Sequence, residues 1–164
     1  MKTIKIEKLT AEAFAPYGTF VDVVNPSTPC LGSDVHTFYR DASRHYSDFN
    51  LPVGFSPLVI KEHGRTVTSV EYHNRSCEGI MPVTDDAILH VCPASGGVYD
   101  VNQTKAFLVP KGTVVTLYPG VFHLLPLPVK EAELHCLIIL PERAYVNDFY
   151  SFDLDEANQF TMEF

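Results

Sequence analysis

The sequence predicts an all-β fold, an antiparallel sandwich or barrel with a few short helices. β-branched residues crowd the middle of the chain, and aromatics are plentiful, with 11 Phe and 8 Tyr. Twelve Pro and nine Gly punctuate it at short intervals. Short strand-like runs recur between those turn signals, with no helical periodicity separating them.

Residues 2–9 (KTIKIEKL) alternate in the manner of an edge strand. Thr10 is placed to cap a short helix over TAEAFAPYG, with Glu12 in its first turn and Gly18 ending it. Phe20–Val24 reads as a strand, 25–33 as a Pro/Ser/Gly loop, and 36–48 as loop with a short strand. The regular part begins near Phe55, with strands expected at 56–61, 66–73, 79–82, 86–92, 105–109, 113–118 and 133–140. Turn signals separate them, among them Asn74-Arg75, Thr84-Asp85, Lys111-Gly112 and Pro119-Gly120. DLDEANQF near the C-terminus suggests one helical turn. No repeat or linker interrupts the chain, so one domain over 1–164 is expected. It divides into a strand–helix extension over about 1–50 and a barrel core over about 55–150.

The formal net charge is −8, from 12 basic and 20 acidic residues. No stretch clusters Lys or Arg, which argues against nucleic acid or an anionic membrane as partner. An anionic ligand therefore needs a local cation to capture it. No apolar run approaches the roughly 18 residues of a membrane span, and MKTIKIEKLTAEAF lacks a signal peptide's apolar block. A cytoplasmic protein is expected. Cys30, Cys77, Cys92 and Cys136 form no CxxC, so four free thiols are expected.

Chemistry concentrates in two segments. In TVTSVEYH, strand alternation puts Glu71 and His73 on one face, and Glu78 follows at the start of the next strand. In KGTVVTLYPGVFHLLPLP, a β-run ends at Pro119-Gly120, a turn that can re-aim His123 inward. His90 and His135 lie inside apolar strands and are expected as hydrogen-bonded core residues. His36, His45 and His63 sit in polar loops and are expected to be exposed. Arg40 and Lys61 are the cations chosen for contact with an anion. There is no GxGxxG, P-loop, GxSxG or HExxH.

The pattern E-x-H-x4-E (Glu71, His73, Glu78), followed by G-x6-P-G-x2-H (Gly112, Pro119, Gly120, His123), resembles the two cupin motifs. That resemblance implies a cupin-type antiparallel β-barrel or jelly roll. It also implies metal ligation by His73, Glu78 and His123, with Glu71 where the first histidine of the motif normally stands. Asp85 replaces the closing glycine of the first motif. IEKLTAEAFAPYGTFVDV, VEYHNRSCEGIMPV and YPGVFHLLPL are similar to segments of the ureidoglycolate lyase family. That family's arginine before Tyr-x-Asp is Phe38 here, with Arg40 close by.

Two imidazoles and one or two carboxylates suit a divalent Zn, Mn, Fe or Ni ion, and without an ion they form an acid–base cluster. The family resemblance implies release of urea from ureidoglycolate to give glyoxylate, a step of allantoin and purine catabolism, by a homodimer. Base and acid roles fall to Glu71, His73 and His123, with Glu78 as orienter, substrate contact or ligand. A metal-dependent isomerase or epimerase on a sugar-like substrate, or a non-catalytic cupin that binds a small acid, are the alternatives.

Overall fold

The computed structural model describes residues 1–48 and 50–164. In chain order its strands are β1 (Lys2–Lys8), β2 (Gly18–Asp22), β3 (Cys30–Ser33), β4 (His36–Tyr39), β5 (Val53–Lys61), β6 (Thr66–Val67), β7 (Ser69–Tyr72) and β8 (Glu78–Pro82). They continue with β9 (Ala87–Val91), β10 (Lys105–Val109), β11 (Thr113–Leu117), β12 (Leu127–Pro128), β13 (Glu133–Pro141), β14 (Tyr150–Asp153) and β15 (Phe160–Glu163). Two one-turn helices, α1 (Ala11–Phe14) and α2 (Ala144–Asn147), complete it with a 3₁₀ turn at Val101–Gln103. Among the described residues no helix is long and apolar enough to cross a membrane.

The architecture is the all-β fold of packed, mostly antiparallel sheets expected from the sequence. One sheet runs β12-β9-β10-β1-β15-β6, and the other runs β2-β11-β8-β13-β5. Between them lies a core of Leu89, Val91 and Phe107 from the first sheet and Ile80, Val115, Leu117 and Leu134 from the second, with Phe14 of α1 added. A second cluster, including Ile4, Ile6, Ile88, Phe122, Phe160 and Met162, covers the opposite face of β9. Burial on both faces explains why AILHV is apolar throughout instead of alternating.

Several elements depart from expectation, among them β3, which forms within a stretch expected as loop. β1 is not an edge: it pairs in parallel with β10 on one side and β15 on the other, and Ile4 and Ile6 are buried. Its edge is therefore closed to a second copy. The run 66–73 breaks at Thr68, whose carbonyl accepts from Leu154 N; β6 before the break pairs with β15 and β7 after it with β14. The helix capped by Thr10 stops at Phe14, and Gly18 instead opens β2. A β-carbon at Gly18 would lie 2.0 Å from the Thr116 carbonyl oxygen, so only glycine permits that approach. Before β15, Asn158 N and Gln159 N both donate to the Asp155 carbonyl, the single turn expected there.

Asp85, which replaces a motif glycine, is buried and structural. Its Oδ2 accepts from the backbone N–H groups of Val129, Lys130 and Glu131, and Oδ1 accepts from Asp86 N. Burial alone would raise its pKa, but those four donors outweigh it and lower the value. Asp85→Ala leaves four N–H groups without their acceptor, so chemical denaturation should show a loss of about 3 kcal/mol.

Candidate active site

Each site side chain is placed by a short backbone device. β7 is half of a small polar platform. Glu71 exchanges both backbone hydrogen bonds with His123 on one side and is paired with Ser151 of β14 on the other. Alternation then sorts the faces. Ser69, Glu71, Ser151 and Asp153 line a cleft of about 360 Å³ with Leu124, Phe149 and Phe152. Tyr72 turns the other way, against Phe122 and stacked on Tyr150. His123 reaches its station through Gly120, whose φ of 81° belongs to the left-handed region and whose N–H donates to the His73 carbonyl.

His73, just past β7, Glu78, which opens β8, and His123 meet below this cleft. Glu78 Oε2 accepts from His73 Nε2 at 2.9 Å and from His123 Nε2 at 2.8 Å. All three side chains are buried. Glu71 borders the trio, with Oε1 3.9 Å from His123 Nε2.

Burial alone would raise the Glu78 pKa, but the two imidazolium neighbours, His123 first, outweigh it and hold the carboxyl at about 2. Burial would equally lower the His123 value, yet Glu78 and then Glu71 drive it up to about 9. His73 is also raised, burial being overcome by Glu78. Burial raises the Glu71 pKa, outweighing the opposing charge of His123 3.9 Å away. The trio is thus a buried carboxylate between two imidazoles whose charged forms it favours, with a more easily protonated carboxyl beside it.

These shifts set the pH range over which the trio stabilises the fold. The raised His123 contributes fully below its ordinary value of 6.5 and loses that contribution as pH rises through about 9. The depressed Glu78 contributes fully above 4.5 and loses it as pH falls toward about 2. In chelator-treated protein the Tm should therefore be flat for this trio between pH 4.5 and 6.5 and fall from 6.5 to 9. His123→Asn should reduce the fall above pH 6.5 in a thermal-melt series, leaving the part that the raised His73 contributes.

The same residues fit a divalent metal ion. One ligand atom from each of His73, Glu78 and His123 lies within 4.8 Å of the others. His73 Nδ1 donates to the Asp148 carbonyl and His123 Nδ1 to the Val121 carbonyl, so both Nε2 atoms are presented to the centre. Such carbonyl contacts orient imidazoles that ligate metals. The N, N, O donor set suits Zn, Mn, Fe or Ni. Glu71 stands outside this compact set.

Other expected residues fall elsewhere. Lys61 ends β5 opposite Glu133, six residues beyond Phe55, whose β13 partner Ile139 also pairs with Gly79. That separation along a strand is about 20 Å, so Lys61 is not brought to the trio. Arg40 is exposed in a polar cleft with Thr28, Pro29, Asp41 and Arg44, which shares no lining residue with the cleft at Glu71. His135 is a surface residue paired with Glu133, because it lies on the outer face of β13. His90 is buried edge-on to Phe160 with no partner for Nε2 among the described residues, and burial lowers its pKa to about 3. All four cysteines are free, Cys30 exposed and the others buried. Burial, opposed only by the Tyr46 backbone contact, raises the Cys77 thiol.

Two residues join the site without a sequence signal. Asp148, after α2, accepts from Asn74 N, Arg75 N and Ser76 Oγ, fixing the turn between His73 and Glu78 while its carbonyl orients the His73 ring. His45, expected to be exposed, has both ring nitrogens buried. The cause is a bridge between Ser47 and Ser76 that draws its loop onto the start of β8. Burial lowers the His45 pKa, with the Glu78 charge opposing.

A family described as "Domain of unknown function (DUF4867)" matches residues 33–159. A ureidoglycolate lyase of Rhodobacter capsulatus is 28% identical over 127 residues, 75% of this chain and 77% of that protein. A ureidoglycolate lyase of Burkholderia mallei is 28% identical over 160 residues, 93% of this chain and 83% of that protein. Among solved structures, the dTDP-6-deoxy-D-glucose-3,5-epimerase RmlC of Legionella pneumophila aligns with a TM-score of 0.46 and 9% identity, over 82% of this chain and 77% of that one.

Proposed function

The chain belongs to the DUF4867 family, and with that membership and its ureidoglycolate lyase relatives as premise we propose that it is a C–N lyase releasing urea from ureidoglycolate. The observation that carries this reading is the run Glu71–His123–Glu78–His73, buried beneath a polar cleft.

The substrate carries a carboxylate, a hydroxyl and a ureido nitrogen on one carbon. Elimination moves the hydroxyl proton to a base as the C=O of glyoxylate forms. The C–N bond breaks with its electron pair going to nitrogen, and a proton added there completes urea. Glu71, at the cleft wall with a raised pKa, is the base, because a carboxylate titrating closer to neutrality holds the abstracted proton better. His123, kept protonated by Glu78, is the acid for the departing nitrogen. Transfer of the proton from Glu71 to His123 across their 3.9 Å separation resets the pair. His73 and Glu78 hold His123 in place, and the imidazolium charges attract the substrate carboxylate against the net charge of −8. A divalent ion on His73, Glu78 and His123 would supply a Lewis acid for the substrate oxygens in place of those imidazolium charges.

A substrate panel tests this reading: ureidoglycolate, glycolate, and a keto-sugar nucleotide, each followed for glyoxylate release and for epimerised product. Glyoxylate from ureidoglycolate alone is expected. Turnover of the sugar nucleotide alone would support an epimerase, and binding without turnover a sensor. Metal content of the purified protein, measured beside its activity after chelation, separates the acid–base form from the metal form.

A further inference from the structure

Next to the trio lies an imidazole that the mechanism above leaves unused. Cys77 N donates to Tyr46 O and Asp48 N to Arg75 O, on either side of the Ser47–Ser76 bridge. Two residues back along that antiparallel register, His45 comes level with Glu78, and the Glu78 charge acts on its ring. Neither Nδ1 nor Nε2 of His45 has a hydrogen-bond partner among the described residues, although both are buried. Such atoms are costly to leave unpaired. A residue kept at that cost beside an acid–base cluster is explained if its partner arrives with the substrate.

We infer that His45 is the residue that recognises the ureido group. A neutral imidazole offers one N–H donor and one lone pair. A ureido group offers the complement, a carbonyl acceptor beside N–H donors. The carboxylate, the hydroxyl and the departing nitrogen of the substrate are met by groups already assigned, whereas the ureido carbonyl and its terminal NH2 have no partner in the scheme. This inference rests on the lyase reading for the identity of the substrate, and it assigns to His45 the selection of a ureido compound over a plain hydroxy acid.

Two non-cleavable probes test it by calorimetry: N-carbamoylglycine, which carries carboxylate and ureido groups without the hydroxyl, and glycolate, which lacks the ureido group. His45→Leu should weaken N-carbamoylglycine binding about tenfold or more, as expected for an unpaired ligand polar group, and leave glycolate binding unchanged. The same variant should melt at the wild-type temperature or above it, since it removes two unsatisfied buried nitrogens. A structural role would instead lower the Tm. Equal loss for both probes, unchanged affinity for N-carbamoylglycine, or no binding of it by the wild type would each overturn the assignment. A wild type that binds N-carbamoylglycine through His45 but releases no glyoxylate would retire the lyase reading alone. Cleavage of ureidoglycolate with no effect of His45→Leu on binding would retire this inference alone.

Discussion

His123→Ala is expected to lower kcat/KM for glyoxylate formation by roughly 10²–10⁴-fold, the usual contribution of a positioned general acid. Among the described residues, His123 is the side chain paired with both carboxylates of the site, at 2.8 Å to Glu78 and 3.9 Å to Glu71. Its removal takes away the acid, the route by which the Glu71 proton returns, and most of the charge facing the substrate carboxylate. The backbone pairing of residue 123 with Glu71 does not depend on its side chain, so the platform should persist. Circular dichroism will confirm that. Retention of full activity by a folded His123→Ala protein would remove His123 from the mechanism.

Glu78→Gln should have the second large effect, on stability and activity together. The carboxylate is the shared acceptor for two buried imidazoles, and an amide cannot balance their charge. His123 must then lose its proton at lower pH than in the wild type, because its nearest anion is gone and burial is opposed chiefly by the more distant Glu71. The stability loss is bounded by the cost of that deprotonation. From a shift between 6.5 and about 9 it is on the order of 3 kcal/mol at pH 6. The difference from wild type should shrink above pH 9, where the wild-type His123 also becomes neutral. Urea denaturation at pH 6 and pH 9.5 measures both values. Catalysis should fall with the loss of the acid, and the alkaline limb of the pH–rate profile should move to lower pH. An unchanged alkaline limb would mean that Glu78 does not set the protonation of His123.

The parts of the site legible in the sequence are those with local grammar. His73 and Glu78 flank one turn, and the Pro119-Gly120 step announces the bend that delivers His123. Lys61 is a candidate by its charge, but register decides where a strand residue ends up, and register is set by β13, far along the chain. Parallel pairing of β1 with β10 and β15 leaves no local trace, so an interior strand reads as an edge. His45 looks like a loop histidine until its loop docks on 75–77. Asp148 reaches the site through the fold alone, from the stretch after α2, and nothing in its neighbouring residues marks it. The barrel was legible because its strands are short, apolar and bounded by turns. The break at Thr68 was not, because it depends on which distant strand each half meets.

The most direct test of the central claim is to identify the nitrogen product. Incubated with ureidoglycolate, the wild-type protein should release glyoxylate and urea in equal amounts with no ammonia, because the proposed chemistry breaks only the bond between carbon and the ureido nitrogen. Release of ammonia in place of urea, or no glyoxylate at all, would contradict it.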